Sequence, residues 1–248
     1  MELSQILKSV NELLTPEAFH DYAPNGLQVQ GKSEVKKIVT GVSACLDLIE
    51  AAKTKGADAI FVHHGWFWKR EDPRITGVRY GRIASLLKAD LSLVAYHLPL
   101  DAHPTLGNNA LLGQALGFVP QGNFSDADLG WYGMTESETT VNTLSKKLES
   151  LLHRTPLVVG NLNRTIRRVA WCTGAAQDMI EEAIDLEVDC FISGEISERT
   201  THIAREAGIV YFACGHHATE RFGIRALGNW IAEKHSIEVE FVDIDNPV

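Results

Sequence analysis

Two segments of the chain align with each other without a gap, and this internal repeat limits the possible folds more than any other feature. Residues 36–64 read KKIVTGVSACLDLIEAAKTKGADAIFVHH, and residues 167–195 read RRVAWCTGAAQDMIEEAIDLEVDCFISGE. The offset is 131 residues throughout, and six positions are identical, among them Asp47/Asp178 and Asp58/Asp189. We interpret the two segments as copies of one duplicated unit.

Each copy predicts a strand, a helix and a second strand. A short apolar strand leads to a helix with apolar residues three and four apart, and a second apolar strand follows an acidic residue. This order is typical of a βαβ unit, whose strands pair in parallel. A third apolar strand is predicted at residues 91–96 and again at 209–213.

We therefore expect an α/β fold of two similar lobes with largely parallel sheets, related by internal duplication. Lobe one is predicted over residues 1–119 and lobe two over residues 167–248, with a connecting segment over 120–166.

The composition argues against nucleic acid and membranes as partners, although a local basic pocket for one small anion is compatible with it. The 248 residues include 23 Lys and Arg against 32 Asp and Glu, which gives a net charge of −9. Such a chain repels nucleic acid and anionic membranes.

No run approaches the roughly 18 apolar residues of a membrane span, and residues 1–14 have the pattern of an amphipathic helix rather than of a signal peptide. The four cysteines lack a CxxC pair and are expected to be buried thiols. We expect a cytoplasmic protein.

Histidines and carboxylates collect at the predicted carboxyl ends of the strands, where open parallel sheets place their functional groups. Lobe one carries His63-His64-Gly65 at one strand end and His97-Leu-Pro-Leu-Asp101 at the next, the latter expected as a loop because of its proline. Lobe two carries Gly215-His-His-Ala-Thr-Glu220. Adjacent side chains of a strand point to opposite faces, so His63 and His64 share a site only where the strand ends.

These residues predict a metal centre. Three imidazoles and two carboxylates are a suitable ligand set for two divalent ions such as Zn, Fe, Mn or Co: His63, His64, Asp101, His216 and Glu220. Two ions about 3.5–4 Å apart hold a bridging water and make it a nucleophile at neutral pH. His97, four residues before Asp101, is the candidate general acid or base. The alternative interpretation is that the histidines are structural and hydrogen-bonded.

Other residues near these ends leave two interpretations open. Residues 66–68, Trp-Phe-Trp, either pack at the lobe interface or form a wall for a planar heterocycle. Arg221 and Arg225 either contact an anionic group or form surface ion pairs. Glu195, at the repeat position of His64, either orients an imidazole or acts as a helix N-terminal acid.

Four motifs in this order resemble the NIF-three-like family, commonly named GTP cyclohydrolase I type 2 or its homologues. They are Asp21-Tyr-Ala-Pro-Asn-Gly-Leu-Gln28, His63-His64-Gly65, His97-Leu-Pro-Leu-Asp101 and Gly215-His-His-Ala-Thr-Glu220. The likeness spans nearly the whole chain and is to the short bacterial form. It implies a dinuclear metal site between the lobes, with the five residues above as ligands and Glu220 as the bridge. His97 is then a weaker ligand or a proton-transfer group.

The resemblance also implies an activity and an assembly. Family members form toroidal homohexamers, and the family name implies hydrolytic opening of the imidazole ring of GTP. We therefore expect a dinuclear metal-dependent hydrolase with two divalent ions per chain, Fe, Zn or Mn, and a small-molecule substrate such as GTP or a related nucleotide or heterocycle. The alternative is a non-catalytic metal-binding ring protein that acts as a scaffold or regulator.

Overall fold

The computed structural model describes all 248 residues. Its helices are α1 (Leu3–Leu14), α2 (Leu46–Thr54), α3 (Gly77–Lys88), α4 (Leu98–Asp101), α5 (Asn108–Ala115), α6 (Val141–Leu152), α7 (Ile180–Asp185), α8 (Glu198–Ala207), α9 (His216–Thr219) and α10 (Arg221–His235). Its strands are β1 (Gly26–Val29), β2 (Lys37–Ser43), β3 (Ala59–His64), β4 (Ser92–Ala95), β5 (Phe118–Phe124), β6 (Gly130–Thr140), β7 (Leu157–Val159), β8 (Thr165–Cys172), β9 (Cys190–Ser193), β10 (Val210–Ala213) and β11 (Glu238–Phe241).

The chain forms two compact units. Unit 1 comprises Met1–Leu106 and Gly223–Asp245, and unit 2 comprises Gly107–Phe222 and Asn246–Val248. No helix combines the length and the apolar character that crossing a membrane requires. All four cysteines are free thiols, and three of them are buried, as expected from their apolar neighbours.

Unit 1 is built on a five-stranded sheet in the order β1-β4-β3-β2-β11. The four strands from β4 to β11 pair in parallel, and β1 pairs with β4 in the antiparallel sense. Successive side chains of a strand alternate between faces, so Phe61 packs in one buried cluster with residues of α1 and α10. Its neighbours Ile60 and Val62 pack in another with residues of α2 and α3.

Unit 2 is built on a six-stranded sheet in the order β5-β6-β8-β9-β10-β7. Strands β8, β9 and β10 pair in parallel, and β5, β6 and β7 add antiparallel pairs at the two sides. Trp171 of β8 and Ile192 of β9 pack with residues of α5 and α6, whereas Phe191 packs with residues of α7 and α8. Both units are thus sheets covered by helices on two faces, and the mixed α/β class is confirmed.

The strand registers of the repeated segments match. In β2 and β3, Ile38 pairs with Ala59, and in β8 and β9, Val169 pairs with Cys190. Both members of the second pair lie 131 residues after those of the first. The sequence repeat therefore corresponds to the same β–β pairing in each unit, which supports the duplication hypothesis.

A side-chain contact at the start of these strands is also repeated. The Oδ2 atom of Asp58 accepts hydrogen bonds from the backbone amides of residues 36 and 37, at 2.9 and 3.2 Å. Asp189 accepts from the amides of residues 167 and 168, both at 2.8 Å. The identical aspartates of the repeat hold the same strand start in both units.

The division into units differs from the predicted lobes. Residues 107–166, which include the predicted connecting segment, belong to unit 2, and residues 223–245 belong to unit 1. The reason is strand pairing: β5, β6 and β7 extend the second sheet, and β11 pairs in parallel with β2. Strands β5 and β6 carry many polar residues and glycines, and β7 and β11 are only three and four residues long, so none has the longer apolar run by which the central strands were predicted.

Candidate metal centre

The predicted histidine pair lies at the end of a buried strand of unit 1. Strand β3 ends at His64, and the ring centroids of His63 and His64 are 4.5 Å apart. Gly65 follows, and a Cβ atom there would lie 2.2 Å from Oε1 of Gln28 and 2.6 Å from Cβ of Ala95. Only glycine permits this close approach, which sets the turn directly after the two histidines.

Both imidazoles are oriented through Nδ1. The fully buried His63 has Nδ1 3.0 Å from the carbonyl oxygen of Tyr96, and His64 has Nδ1 3.0 Å from Oγ of Ser43. Because Nδ1 is engaged in each ring, Nε2 is the nitrogen that would bind a metal. Such hydrogen bonds on the far nitrogen are the usual support of a metal-ligating histidine.

His97 is held by the first motif of the family resemblance, Asp21–Gln28. Its Nδ1 lies 2.7 Å from Oδ1 of Asp21, and its backbone amide donates to Oδ1 of Asn25 at 2.8 Å. Asp21 also accepts hydrogen bonds from the amide of Tyr22 and from Nδ2 of Asn25. His97 is thereby fixed in orientation, with Nε2 directed away from Asp21.

The carboxyl group of Asp21 is strongly acidic. Burial alone would raise its pKa, but hydrogen bonds and charge from His97, together with hydrogen bonds from Asn25 and the amide of Leu98, lower the pKa from 3.8 to about 2. Asp21 is therefore a buried carboxylate at neutral pH.

Asp101 lies beside the histidine pair. The segment expected as a loop is instead the one-turn helix α4, with Pro99 in its first turn, where the missing amide hydrogen costs nothing. The helix ends at the buried Asp101, whose Oδ2 lies 3.5 Å from Nε2 of His63. Unit 1 thus gathers three imidazoles and one carboxylate, and ligand atoms of His63, His64 and His97 lie within 4.8 Å of one another.

Unit 2 carries the remaining two predicted ligands on adjacent turns. Nε2 of His216 lies 3.0 Å from Oε2 of Glu220, and its Nδ1 lies 2.7 Å from Oε1 of Glu195. Glu195 therefore orients an imidazole, which is one of the two interpretations the sequence left open. Burial alone would lower the pKa of His216, but Glu220 and Glu195 raise it to about 9. At neutral pH the imidazole of His216 is therefore protonated and lies between two carboxylates. A metal ion bound at Nε2 would take the place of the proton there.

Glycines permit this packing as well. Gly174 has a φ of +72°, and a Cβ atom there would lie 2.2 Å from Oε1 of Glu220. A Cβ atom at Gly194 would lie 2.7 Å from the Cα of His216. The ligand-bearing turn of unit 2 therefore needs glycine at two neighbouring strand ends.

The structure thus brings together His63, His64, His97 and Asp101 in unit 1, and His216 and Glu220 in unit 2. All four imidazoles have Nδ1 bound to an acceptor or hydroxyl of their own unit, so all would present Nε2 to a metal. Imidazole nitrogen and carboxylate oxygen suit the borderline divalent metals. The residues of this structure therefore fit the implied ions chemically.

The aromatic and basic residues near these ligands have different environments. Trp66 is buried in unit 1 and donates its indole N–H to the carbonyl of Ala44. Trp68 instead packs edge-on against His97, with ring centroids 5.0 Å apart. Arg221 donates to the carbonyl of Leu152, and Arg225 lies over the ring of Phe241. Trp68 is thus the aromatic residue of the triplet beside the site.

The family resemblance includes residues 21–28 as a motif, but the sequence did not predict that Asp21 and Asn25 contact His97. Asp21 lies 76 residues before its partner His97, and no local pattern connects them. The available signal was the Pro24-Asn25-Gly26 turn between two polar residues, which indicates a fixed loop but not what it contacts.

Comparisons with known proteins agree with the architecture. The model of the Duf34/NIF3 family (NGG1p interacting factor 3) matches residues 1–247. A protein of Vibrio cholerae named GTP cyclohydrolase 1 type 2 homolog is 52% identical, covering 98% of each chain, and one of Escherichia coli K12 with the same name is 47% identical over the whole of both.

Solved structures show the same fold. The structure titled protein ybgI, of unknown function, has a TM-score of 0.96 and 47% identity, and it covers the whole of both chains. TTHA1606 from Thermus thermophilus has a TM-score of 0.91 and 28% identity, again over both whole chains. The match of sequence and fold over the full length leads to one conclusion: the chain belongs to the DUF34/NIF3 family.

Proposed function

We propose that this chain is a dinuclear metal-dependent hydrolase of small molecules, with GTP or a related nucleotide or heterocycle as substrate. The observation that carries the proposal is the shared orientation of the imidazoles of His63, His64 and His216, each supported through Nδ1 so that Nε2 would be presented to a metal. The name of the relatives, GTP cyclohydrolase 1 type 2 homolog, supports the substrate class.

In this proposal two divalent ions, Fe, Zn or Mn, are held by His63, His64, Asp101, His216 and Glu220. Glu220, whose nearly fully buried carboxylate lies 3.0 Å from Nε2 of His216, would be the ligand shared by the two ions, as the family resemblance implies. The ions would supply Lewis acidity and would acidify water at neutral pH.

The other residues of the site move a proton and hold the ligands in place. His97 is the general acid or base, since Asp21 fixes its Nδ1 and leaves Nε2 as the proton-exchanging atom. Glu195 keeps His216 in a ligating orientation. Trp68, packed against His97, provides an aromatic wall for a planar substrate.

Metal analysis of the purified protein tests the centre. We expect about two equivalents per chain, as two-metal sites hold, and loss of at least one in Glu220→Ala. The control is Glu206→Ala, which removes an exposed carboxylate of α8 in the same unit. Two tightly bound ions in Glu220→Ala would contradict the ligand assignment.

A substrate screen with the reconstituted protein then separates the enzyme from the scaffold alternative. Metal-dependent turnover of GTP or another heterocycle, lost in Glu220→Ala, is the expected result. Tight metal binding without hydrolysis across a broad panel of heterocycles and phosphoesters would favour a non-catalytic ring protein. We further propose a cytoplasmic homo-oligomer, a toroidal hexamer, and light scattering of the purified protein would measure its mass.

A further inference from the structure

Unit 1 contains a cavity that none of the proposed ligands lines. It has a volume of about 350 Å³ and lies among the residues that follow the histidine pair, between Trp66 and the start of α3. Its charged lining consists of Glu71, Asp72, Arg74, Arg79 and Arg82. A cavity of this size is within the range of small-molecule sites.

The cavity has three guanidinium groups and two carboxylates, and the two carboxylates are paired with Arg74 and Arg79. Asp72 binds Arg74 through both carboxylate oxygens, and Glu71 lies 3.9 Å from Nη2 of Arg79. Arg82 also lines the cavity, but it forms no ion pair with either carboxylate. The charge of Arg82 is therefore not compensated by a carboxylate of the cavity, which favours an anionic ligand there.

Two further groups line the same cavity, Arg79, which also donates to the carbonyl oxygen of Asp72, and the first turn of α3. Arg79 is held in place above the ring of Phe67, at 5.1 Å from the centroid, and lies one helical turn before Arg82 on the same face of α3. The first turn of α3 also lines the cavity, and it has neither an acidic residue nor a side-chain cap from Thr76. Its backbone amides therefore add positive partial charge at the same place.

We propose that this cavity binds the phosphoryl group of a small anion, through Arg82 and Arg79 and the first turn of α3. Paired guanidinium groups next to a helix N-terminus match the several acceptor oxygens of a phosphoryl group. Trp66 forms the apolar wall of the cavity. The proposal goes beyond the metal centre and does not depend on it, because no metal ligand lines the cavity.

Phosphate binding to the full-length, chelator-treated protein tests the proposal. We expect saturable binding of inorganic phosphate by calorimetry, weakened at least about tenfold in Arg82→Gln, as loss of a charge-assisted contact predicts. Arg70→Gln is the matched control, since it removes the same charge from an exposed position of the same segment outside the cavity. Glu71→Gln should strengthen binding by removing a like charge while keeping the oxygen that accepts from the amide of Trp68.

Three results would overturn the proposal. They are the absence of saturable binding, equal weakening in Arg70→Gln and Arg82→Gln, and binding that appears only after metal is restored. The last would assign the anion to the metal centre. If Arg82→Gln proves unstable, phosphate binding by Glu71→Gln decides. Tighter binding than in the wild type supports the proposal, and unchanged or weaker binding contradicts it.

The source of the phosphoryl group is separated by comparing inorganic phosphate, GTP and guanosine. Arg82-dependent binding of GTP but not of guanosine identifies a phosphorylated ligand, whereas binding of inorganic phosphate alone identifies the free ion. Because the comparisons that support the proposal use metal-depleted protein and measure binding rather than turnover, failure of the proposed hydrolase leaves this result unchanged.

Discussion

Replacement of Asp21 by asparagine tests whether the support of His97 is as strong as its geometry indicates. The side chain is 6% exposed, and its two oxygens accept hydrogen bonds from four donors: the amides of Tyr22 and Leu98, Nδ2 of Asn25 and Nδ1 of His97. Asparagine keeps only one oxygen and directs an amide group at donors. At least one buried donor then loses its acceptor.

The expected loss of folding stability follows from the shift in the pKa of Asp21. Folding lowers the pKa of Asp21 from 3.8 to about 2, which corresponds to about 2 kcal/mol of stability at neutral pH. Because the folded-state pKa is depressed, this stability is fully present above the unfolded-state pKa. It falls to about half near pH 3 and is lost as the pH drops through about 2.

Hydrogen exchange of the β4 amides measures the stability of unit 1 across this pH range, in chelator-treated protein so that metal binding does not contribute. Asp21→Asn should lower the free energy of opening by about 2 kcal/mol at pH 7, with the difference from the wild type closing as the pH falls. Asp245→Asn, at an exposed position of the same unit, should change little. A loss of less than about 0.5 kcal/mol, or one that does not vary with pH, would refute the reasoning.

Two further predictions concern unit 2. Glu195→Gln should weaken metal binding about 10- to 100-fold in a competition titration with a chelator, because His216 loses the carboxylate that orients it; an unchanged affinity would contradict that function. Gly174→Ala places a Cβ 2.2 Å from Oε1 of Glu220 and should both destabilise unit 2 by about 1–3 kcal/mol and reduce metal content. Gly208→Ala has nearly the same positive φ but no atom within 4 Å of the new Cβ, so it should cost less and leave metal content unchanged.

The central strands and the strand-end histidines could be predicted because both depend on local sequence. An apolar run bounded by turns predicts a buried strand, and parallel strands place their carboxyl ends at one edge. In the structure His63 lies beside both His64 and Asp101, as expected for residues at the carboxyl ends of parallel strands. The contacts that orient the histidines could not be predicted in the same way, because Ser43 lies 21 residues before His64 and Asp21 lies 76 residues before His97.

The outer strands, such as β5, were not predicted, for a different reason. Strand β5 reads FVPQGNF and is mostly exposed or half-buried, so it has neither an apolar run nor strict alternation. It forms because β6 offers it an antiparallel partner, and a long-range pairing of this kind is decided by the sheet rather than by the strand. The predicted connecting segment is consequently part of the second sheet.

The two copies of the repeat agree where they build the scaffold and differ where they carry chemistry. Asp58 and Asp189 hold equivalent strand starts, and the strand registers coincide. At the opposite end of the same strands, His63-His64 of the first copy corresponds to Gly194-Glu195 of the second. In the first copy the strand end supplies the imidazoles themselves, whereas in the second it supplies space and a carboxylate for the imidazole of His216. At the strand starts the aspartate accepts hydrogen bonds from backbone amides, which are present whatever the side chains. The same aspartate therefore serves both copies. At the strand ends the contacts of His64 and Glu195 are made by side chains, which differ between the two copies.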